Sequence, residues 1–206
     1  MKDKRVGLYG GTFSPPHAGH VNAAANFVHS MGLDKLIIMP AGIPPHKTVK
    51  DPVPSEARLE MCRLAFDRID EAEVSDYEII SEGLSYTVKT LRHLYPTYGR
   101  VYLLCGDDML LTLDCWRESR EIFRMAHIVC MRRYEEGRGA LYEKAEEYKE
   151  RFGASVSFID ASPLPVSSTE VREMLKRGDD SVREYLDESV IEYIKEKGLY
   201  GCSREV

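Results

Sequence analysis

Two histidines and a pair of glycines near the start of the chain have the types and the spacing that phosphate chemistry requires. Residues 5–20 read R-V-G-L-Y-G-G-T-F-S-P-P-H-A-G-H, which places Gly10 and Gly11 in a predicted loop and His17 and His20 at the predicted start of a helix. A glycine-rich loop lets the main chain approach a ligand closely. A helix N-terminus offers unpaired N–H groups and a partial positive charge. The segment therefore predicts a phosphate-binding site.

Other side chains at predicted loops and helix starts could complete such a site. Five prolines in residues 40–54 predict an ordered loop, and this loop carries His46 and Lys47. Later candidates with polar or aromatic side chains are Ser85, Tyr86, Thr87, Asp108, Trp116, Ser167, Ser168 and Arg172. Loops that follow parallel strands meet at the carboxyl edge of the sheet, so we expect these loops to converge there.

Several of these residues have a purely structural alternative. Lys47 could be a solvated surface lysine, Ser85 could cap a helix, and Asp108 could cap the helix after its strand. Trp116, the only tryptophan, could lie in the core. The string V-S-S-T-E-V-R at 166–172 is also typical of a capping box, in which a hydroxyl and a carboxyl group satisfy the first N–H groups of a helix.

The elements that must position these residues alternate along the chain. Apolar runs predict buried strands at 5–9, 35–40, 101–105, 126–131 and 156–160, and a shorter strand at 73–78. Helical patterns lie at 21–32, 56–69, 85–94, 138–152 and 181–198, with Ser55 as a plausible N-cap of the second. Arg58 and Arg63 of that helix are expected to face solvent or the loop. The alternation predicts an α/β fold with a doubly wound, mainly parallel open sheet.

Size and charge restrict the function classes. The 206 residues fit a single domain, 1–206, with a small helical C-terminal part at 166–206. The net charge of −6 argues against a broad nucleic-acid-binding face. We expect no signal peptide, no membrane partner and a cytoplasmic location, because no apolar run approaches membrane-spanning length and the five cysteines are most simply free thiols. A homo-oligomer is compatible with the sequence.

The string G-G-T-F-x-P-x-H-x-G-H at residues 10–20 resembles the signature of the HxGH nucleotidyltransferase superfamily. One departure is Ser14, where relatives commonly carry Asp. The resemblance implies a Rossmann-like nucleotidyltransferase fold that joins a nucleoside triphosphate to a phosphate-bearing acceptor and releases pyrophosphate. It implies catalytic roles for His17, His20, Lys47 and Arg172. It implies ATP binding by Gly10, Gly11, Thr12, Phe13, His20, Asp108, Ser167, Ser168 and Arg172.

Two further strings, P-P-H-K at 44–47 and E-x-x-x-x-G-x-S-Y-T-V-x-T-L at 78–91, resemble the nicotinate-nucleotide adenylyltransferase branch. Many relatives have Arg near Ser81, which is a second departure. The resemblance implies that nicotinate mononucleotide is bound by Lys47, Ser85, Tyr86, Thr87 and Trp116. In this reading Thr87 contacts the pyridine carboxylate and Trp116 stacks on the ring.

The implied reaction is adenylyl transfer from ATP to nicotinate mononucleotide, as in NAD biosynthesis. A phosphate nucleophile is already ionised, so the reaction needs orientation and charge stabilisation rather than a general base. We expect Mg²⁺ to arrive with ATP, and no protein metal cage. The alternatives are another acceptor, such as nicotinamide mononucleotide or phosphopantetheine, or a non-catalytic nucleotide sensor. A fragment of a class I tRNA synthetase is disfavoured by the acidic charge.

Overall fold

Six parallel strands form one open sheet in the computed structural model, which describes residues 4–45, 53–132, 138–160, 164 and 166–202. The strands are β1 (Val6–Gly11), β2 (Lys35–Pro40), β3 (Ala72–Val74), β4 (Val101–Gly106), β5 (Ala126–Arg132) and β6 (Val156–Asp160). Their order is β3-β2-β1-β4-β5-β6, and every neighbouring pair is parallel. This confirms the predicted Rossmann-like architecture.

Helices cover both faces of the sheet. They are α1 (Ala18–Met31), α2 (Ser55–Phe66), α3 (Tyr77–Ile80), α4 (Thr87–Tyr98), α5 (Asp107–Thr112), α6 (Ser119–Met125), α7 (Arg138–Phe152), α8 (Ser168–Arg177) and α9 (Glu188–Lys197). One core cluster joins the sheet to α1, α2, α8 and α9, and a second joins it to α4, α6 and α7. None of the helices in the described ranges is long and apolar enough to cross a membrane.

Local sequence patterns explain the end of α1 and the inward face of α7, whereas α4 is longer than its pattern predicts. Helix α1 stops at Gly32, whose left-handed backbone (φ 57°) lets its N–H reach the carbonyl groups of the last turn. In α7, Leu141, Ala145 and Tyr148 face inward, as the spacing predicts. Helix α4 runs four residues beyond the predicted end at Leu94, to Tyr98.

Two sequence predictions about local structure are wrong. The strand predicted at 73–78 ends at Val74, because β3 is an edge strand that pairs only with residues 36–38 of β2. The carbonyl of Asp76 then accepts the N–H groups of residues 79 and 80, which starts α3 instead. Ser55 is the first helical residue of α2 and not its cap, since Pro54 occupies that position.

The centre of the sheet opens at its carboxyl edge. Strand β1 pairs with β2 along its whole length, up to Gly11 opposite Pro40. Its pairs with β4 are Gly7 with Tyr102 and Leu8 with Leu103, so this ladder ends before either strand does. The strand order also reverses between β1 and β4. Open α/β sheets bind ligands in such a crevice.

Candidate active site

The two histidines lie beside the crevice, where the loop after β1 enters α1. His17 is the N-cap of α1 and is buried, whereas His20 is half-buried. Their ring centroids are 3.8 Å apart, and the backbone N–H of His17 donates to Nδ1 of His20 over 3.2 Å. Because an N–H can only donate, Nδ1 of His20 carries no proton in this arrangement. The neutral ring therefore has its proton on Nε2, which can donate to a phosphate oxygen.

The ring of Phe13 packs against the ring of His20. Its side chain is 2 % exposed, and its ring centroid lies 5.1 Å from that of His20 and 5.7 Å from that of Phe66. A Cβ on Gly11 would lie 2.8 Å from the Phe13 ring, so only glycine leaves room for it. Phe13 thus packs in the core, and any contact it makes with ATP would come from its backbone.

Gly19 leaves room for the imidazole of His17. A Cβ at this position would lie 3.0 Å from Cε1 and from Nδ1 of the His17 ring. That separation is shorter than ordinary van der Waals contact, so a side chain here would push the ring away. The glycine between the histidines therefore has a steric reason that is independent of ligand binding.

The C-terminal helices hold the loop that carries the histidines. Arg172 donates from Nη1 to the carbonyl of Ser14 over 2.7 Å, and the Ser168 hydroxyl donates to the carbonyl of Pro15 over 3.0 Å. The N–H of Ala18, the first of α1, donates to the carbonyl of Tyr185 over 2.7 Å. One of the helix donors expected to face phosphate is thus used inside the protein.

Ser14 lies on the protein side of this loop. It is 6 % exposed, and its hydroxyl lies 3.1 Å from the hydroxyl of Tyr200. Burial raises the pKa of Tyr200 to about 12, so the phenol stays protonated at neutral pH. The position where relatives commonly carry Asp therefore joins the loop to the C-terminal segment in this chain.

The start of α8 is the predicted capping box. The Ser167 side chain accepts the N–H of Glu170, and the Glu170 carboxylate accepts the N–H and the hydroxyl of Ser167, both over 2.7 Å. These hydrogen bonds lower the pKa of Glu170. The box fixes the first turn of the helix that presents Ser168 and Arg172.

Three of the candidate acceptor residues, Ser85, Tyr86 and Thr87, lie at the start of α4. Ser85 does not cap α4, because Tyr86 holds the N-cap position. Instead, the Ser85 hydroxyl accepts the N–H of Gly42 over 2.9 Å, which attaches the start of α4 to the loop after β2. The guanidinium of Arg117 lies 4.8 Å from the centroid of the Tyr86 ring. Thr87 is the first residue of α4, and Trp116, half-buried, precedes Arg117.

The turn before Trp116 has a support that sequence reasoning did not identify. Tyr148 of α7 is 0 % exposed, and its hydroxyl donates toward the carbonyl of Leu110 (2.8 Å) and lies 3.0 Å from Oδ1 of Asp114. Lys144 also donates to Asp114 over 3.1 Å. Although partial burial raises it, the pKa of Asp114 is lowered overall by the hydrogen bonds from Lys144 and Tyr148. Only the inward position of Tyr148 could be read from the helical spacing.

Two aspartates follow β4 in the first turn of α5, Asp107 and Asp108. Asp108 is exposed in the first turn of α5, where a carboxylate also favours the helix dipole. Asp107 lies nearer the core, with Oδ1 3.6 Å from Sγ of Cys130. His46 and Lys47 fall outside the described residues. Among the residues that the structure describes, no group of three or more His, Cys, Asp or Glu could hold a metal ion.

Sequence comparison identifies relatives along nearly the whole chain. The Cytidylyltransferase-like family matches residues 8–174. A probable nicotinate-nucleotide adenylyltransferase of Clostridium perfringens (strain SM101 / Type A) is 33 % identical over 199 residues, which cover 96 % of this chain and 98 % of the relative. A probable nicotinate-nucleotide adenylyltransferase of Clostridium botulinum (strain Kyoto / Type A2) is 35 % identical, covering 94 % and 97 %.

Structural comparison points to the same fold. The nicotinic acid mononucleotide adenylyltransferase of Plasmodium falciparum, complexed with NaAD, superposes with a TM-score of 0.77 at 20 % identity, covering 98 % of this chain and 100 % of that one. The same protein complexed with APC gives a TM-score of 0.75 at 19 % identity, with the same coverage. At these identities the likeness establishes the architecture only.

Proposed function

This chain belongs to the cytidylyltransferase-like family and, within it, to the nicotinate-nucleotide adenylyltransferases, and from that membership we propose that it transfers the adenylyl group of ATP to nicotinate mononucleotide. The products are nicotinate adenine dinucleotide and pyrophosphate. The observation that carries the proposal is the crevice itself. The histidine loop follows β1, and the Ser85 hydroxyl is bonded to the loop that follows the neighbouring strand β2, so the two groups of candidate residues meet the same edge of the sheet.

The reaction is a single in-line displacement. A phosphate oxygen of nicotinate mononucleotide forms a bond to the α-phosphorus of ATP, and the bond from that phosphorus to the bridging oxygen of pyrophosphate breaks. The attacking oxygen carries no proton at neutral pH, so no base must remove one. The protein must align the two phosphates and stabilise the charge that develops on the leaving pyrophosphate.

We assign to His20 a hydrogen bond that stabilises the charge on a phosphate oxygen. Its Nδ1 accepts the backbone N–H of His17, so the proton of the neutral ring is on Nε2, the nitrogen that would donate to a phosphate oxygen in this proposal. His17 itself is 6 % exposed, so its main contribution in this proposal is to hold His20 through that N–H and through ring contact. The ring of Phe13 restricts His20 further.

Positive charge for the triphosphate would come from Arg172 and Lys47. One η-nitrogen of Arg172 is bonded to the Ser14 carbonyl and the other to the hydroxyl of Thr169, so the guanidinium is held firmly next to the loop. Ser167 and Ser168 start the same helix, whose N-terminus favours an anion. The role of Lys47 rests on the family resemblance.

Mg²⁺ enters as part of the substrate in this proposal. It would arrive with ATP and would offset part of the negative charge of the triphosphate. That binding mode needs no protein cage. Asp107 and Asp108 start α5 directly after β4, and of the two Asp108 is the exposed carboxylate.

The nicotinate end would lie against the start of α4 and the turn at Trp116. Thr87 begins α4 and can donate its hydroxyl to the pyridine carboxylate, while Trp116 offers an aromatic face for stacking. The ring of Tyr86 lies under the guanidinium of Arg117, so this part of the site also carries a cation for the pyridine carboxylate of the substrate.

The test is pyrophosphate release with ATP and Mg²⁺ and with three acceptors in parallel: nicotinate mononucleotide, nicotinamide mononucleotide and phosphopantetheine. We expect a strong preference for the nicotinate compound and a loss of that preference in Thr87→Val. Release with none of the three, from protein that still binds ATP, would support a nucleotide sensor instead.

A further inference from the structure

Arg58 is a buried cation that contacts two loops of the candidate site. It lies in α2 and is 5 % exposed. Its Nη1 donates to the carbonyl of Thr12 over 2.8 Å, and its Nη2 donates to the carbonyls of Ala41 (2.6 Å) and Gly42 (3.0 Å). Thr12 directly follows β1, and Ala41 directly follows β2. One side chain therefore bonds the loops that leave two neighbouring strands.

Packing alone does not explain a guanidinium in this place. Removing a charge from water is unfavourable, and burial lowers the pKa of Arg58. In the described part of the chain, no carboxylate forms an ion pair with it. Its charge is instead met by three backbone carbonyl dipoles, which accept hydrogen bonds from both η-nitrogens of the planar guanidinium fork. An apolar residue of similar volume would fill the space without the penalty of a buried charge.

Gly42 extends the connection to the acceptor side. Its carbonyl accepts from Arg58, while its N–H donates to the hydroxyl of Ser85 over 2.9 Å. The N–H of Ser85 in turn donates to the carbonyl of Ile43 over 2.9 Å. A Cβ on Gly42 would lie 2.2 Å from the carbonyl oxygen of Glu78, so this loop is also fitted closely against α3. The chain of contacts runs from Thr12 through Arg58 and Gly42 to Ser85.

We propose that Arg58 is a positioning residue. It sets the spacing between the loop after β1, which would hold ATP, and the start of α4 with the loop after β2, which would hold the acceptor. This inference rests on the proposed function, because it concerns how two substrates are aligned. In-line attack requires reacting atoms about 3–3.5 Å apart, and a displacement of about 1 Å can cost about 100-fold in rate. By joining Thr12 to Gly42, Arg58 holds the two subsites at one separation.

The experiment compares Arg58→Met, Arg58→Lys and the matched control Arg63→Met. Arg63 lies in the same helix but is exposed and pairs with Glu60. We expect Arg58→Met to lower kcat about 10- to 100-fold, with KM for ATP changed less than about threefold. Arg58→Lys keeps the charge but not the fork, so its kcat should fall to within about threefold of that of the Met variant. Arg63→Met should match the wild type.

A double-mutant cycle separates positioning from a general loss of structure. Ser85→Ala removes the other end of the connection, so its effect on kcat/KM should be smaller in the Arg58→Lys background than in the wild type. If Arg58→Met does not fold, Gly42→Ala displaces the same loop from the Glu78 side and should lower kcat in the same way.

The outcomes are distinct. A wild-type kcat in Arg58→Lys would overturn the positioning role. So would a double variant whose loss of kcat/KM is the product of the losses in Arg58→Lys and Ser85→Ala. Wild-type and Arg63→Met proteins that form no dinucleotide would instead contradict the proposed function, whatever the Arg58 variants do.

Discussion

At the scale of single residues, the proposed chemistry depends on the space around the two histidine rings and on which nitrogen of His20 carries the proton. The backbone N–H of His17 determines which nitrogen of His20 is protonated, and Phe13 and Gly19 determine where the two rings lie. The spacing of the histidines could be read from the sequence. Their tautomer could not, because it depends on one hydrogen bond inside the folded helix start.

Gly19→Ala tests the steric role of the glycine between the histidines. The new Cβ would lie 3.0 Å from the His17 ring, so we expect a displaced histidine pair and turnover at least about tenfold lower. Steady-state kinetics with ATP and nicotinate mononucleotide measures this. The control is Gly139→Ala, where a Cβ would meet nothing within 4 Å. Equal turnover in both variants would show that the ring position is not critical.

Glu170→Gln tests the capping box through its pH dependence. The carboxylate is held below its ordinary pKa of 4.5 by the hydrogen bonds from Ser167. Its contribution to stability is therefore complete above about pH 4.5 and is lost as the pH falls through the lowered pKa. We expect a lower Tm than wild type at pH 7 and no difference at strongly acid pH.

Thermal unfolding followed by circular dichroism between pH 3 and pH 7 measures both curves. Glu173→Gln, in the same helix and paired at the surface with Lys176, is the control and should follow the wild type more closely. A Tm deficit of Glu170→Gln that is the same at every pH would contradict the charge-dependent cap.

At the scale of elements, the sequence predicts what is local. Apolar runs located the long strands, and the S-S-T-E string located the cap of α8, because these patterns act over a few residues. The burial of Arg58 and the contacts of Tyr148 join elements far apart in sequence, and no local pattern encodes them. The strand predicted at 73–78 failed for a related reason, since β2 offers β3 only a short edge.

Tyr148→Phe tests how α7 supports the turn that carries Trp116. The substitution leaves the carbonyl of Leu110 and the carboxylate of Asp114 without the phenol, at a buried position. We expect a loss of about 1–3 kcal/mol in the free energy of unfolding. Urea titration measures it, and the emission of Trp116, the only tryptophan, reports on the turn itself.

The matched control is Tyr142→Phe in the same helix. Tyr142 is 46 % exposed, so its hydroxyl can bond to water after any local change. An unfolding free energy of Tyr148→Phe equal to that of this control, with unchanged Trp116 emission, would remove Tyr148 from the support of the site.

At the scale of the whole molecule, the two ends of the chain build one site. The histidine loop follows the first strand, yet its backbone is held by Arg172, Ser168 and Tyr185 from the C-terminal quarter. The order of the strands places the opening between β1 and β4, next to the loop that carries the histidines. The fold class was predictable from the alternating patterns. The contacts between the C-terminal segment and the histidine loop were not, because they join residues far apart in the sequence.

The most direct measurement is the yield of nicotinate adenine dinucleotide and pyrophosphate from ATP and nicotinate mononucleotide, in wild type and in His20→Ala. His29→Ala, an exposed position in the same helix, is the control. We predict the two products in equal amounts from wild type and control, and a rate at least about 100-fold lower from folded His20→Ala. ATP consumed without the dinucleotide, or full activity in His20→Ala, would contradict adenylyl transfer at this site.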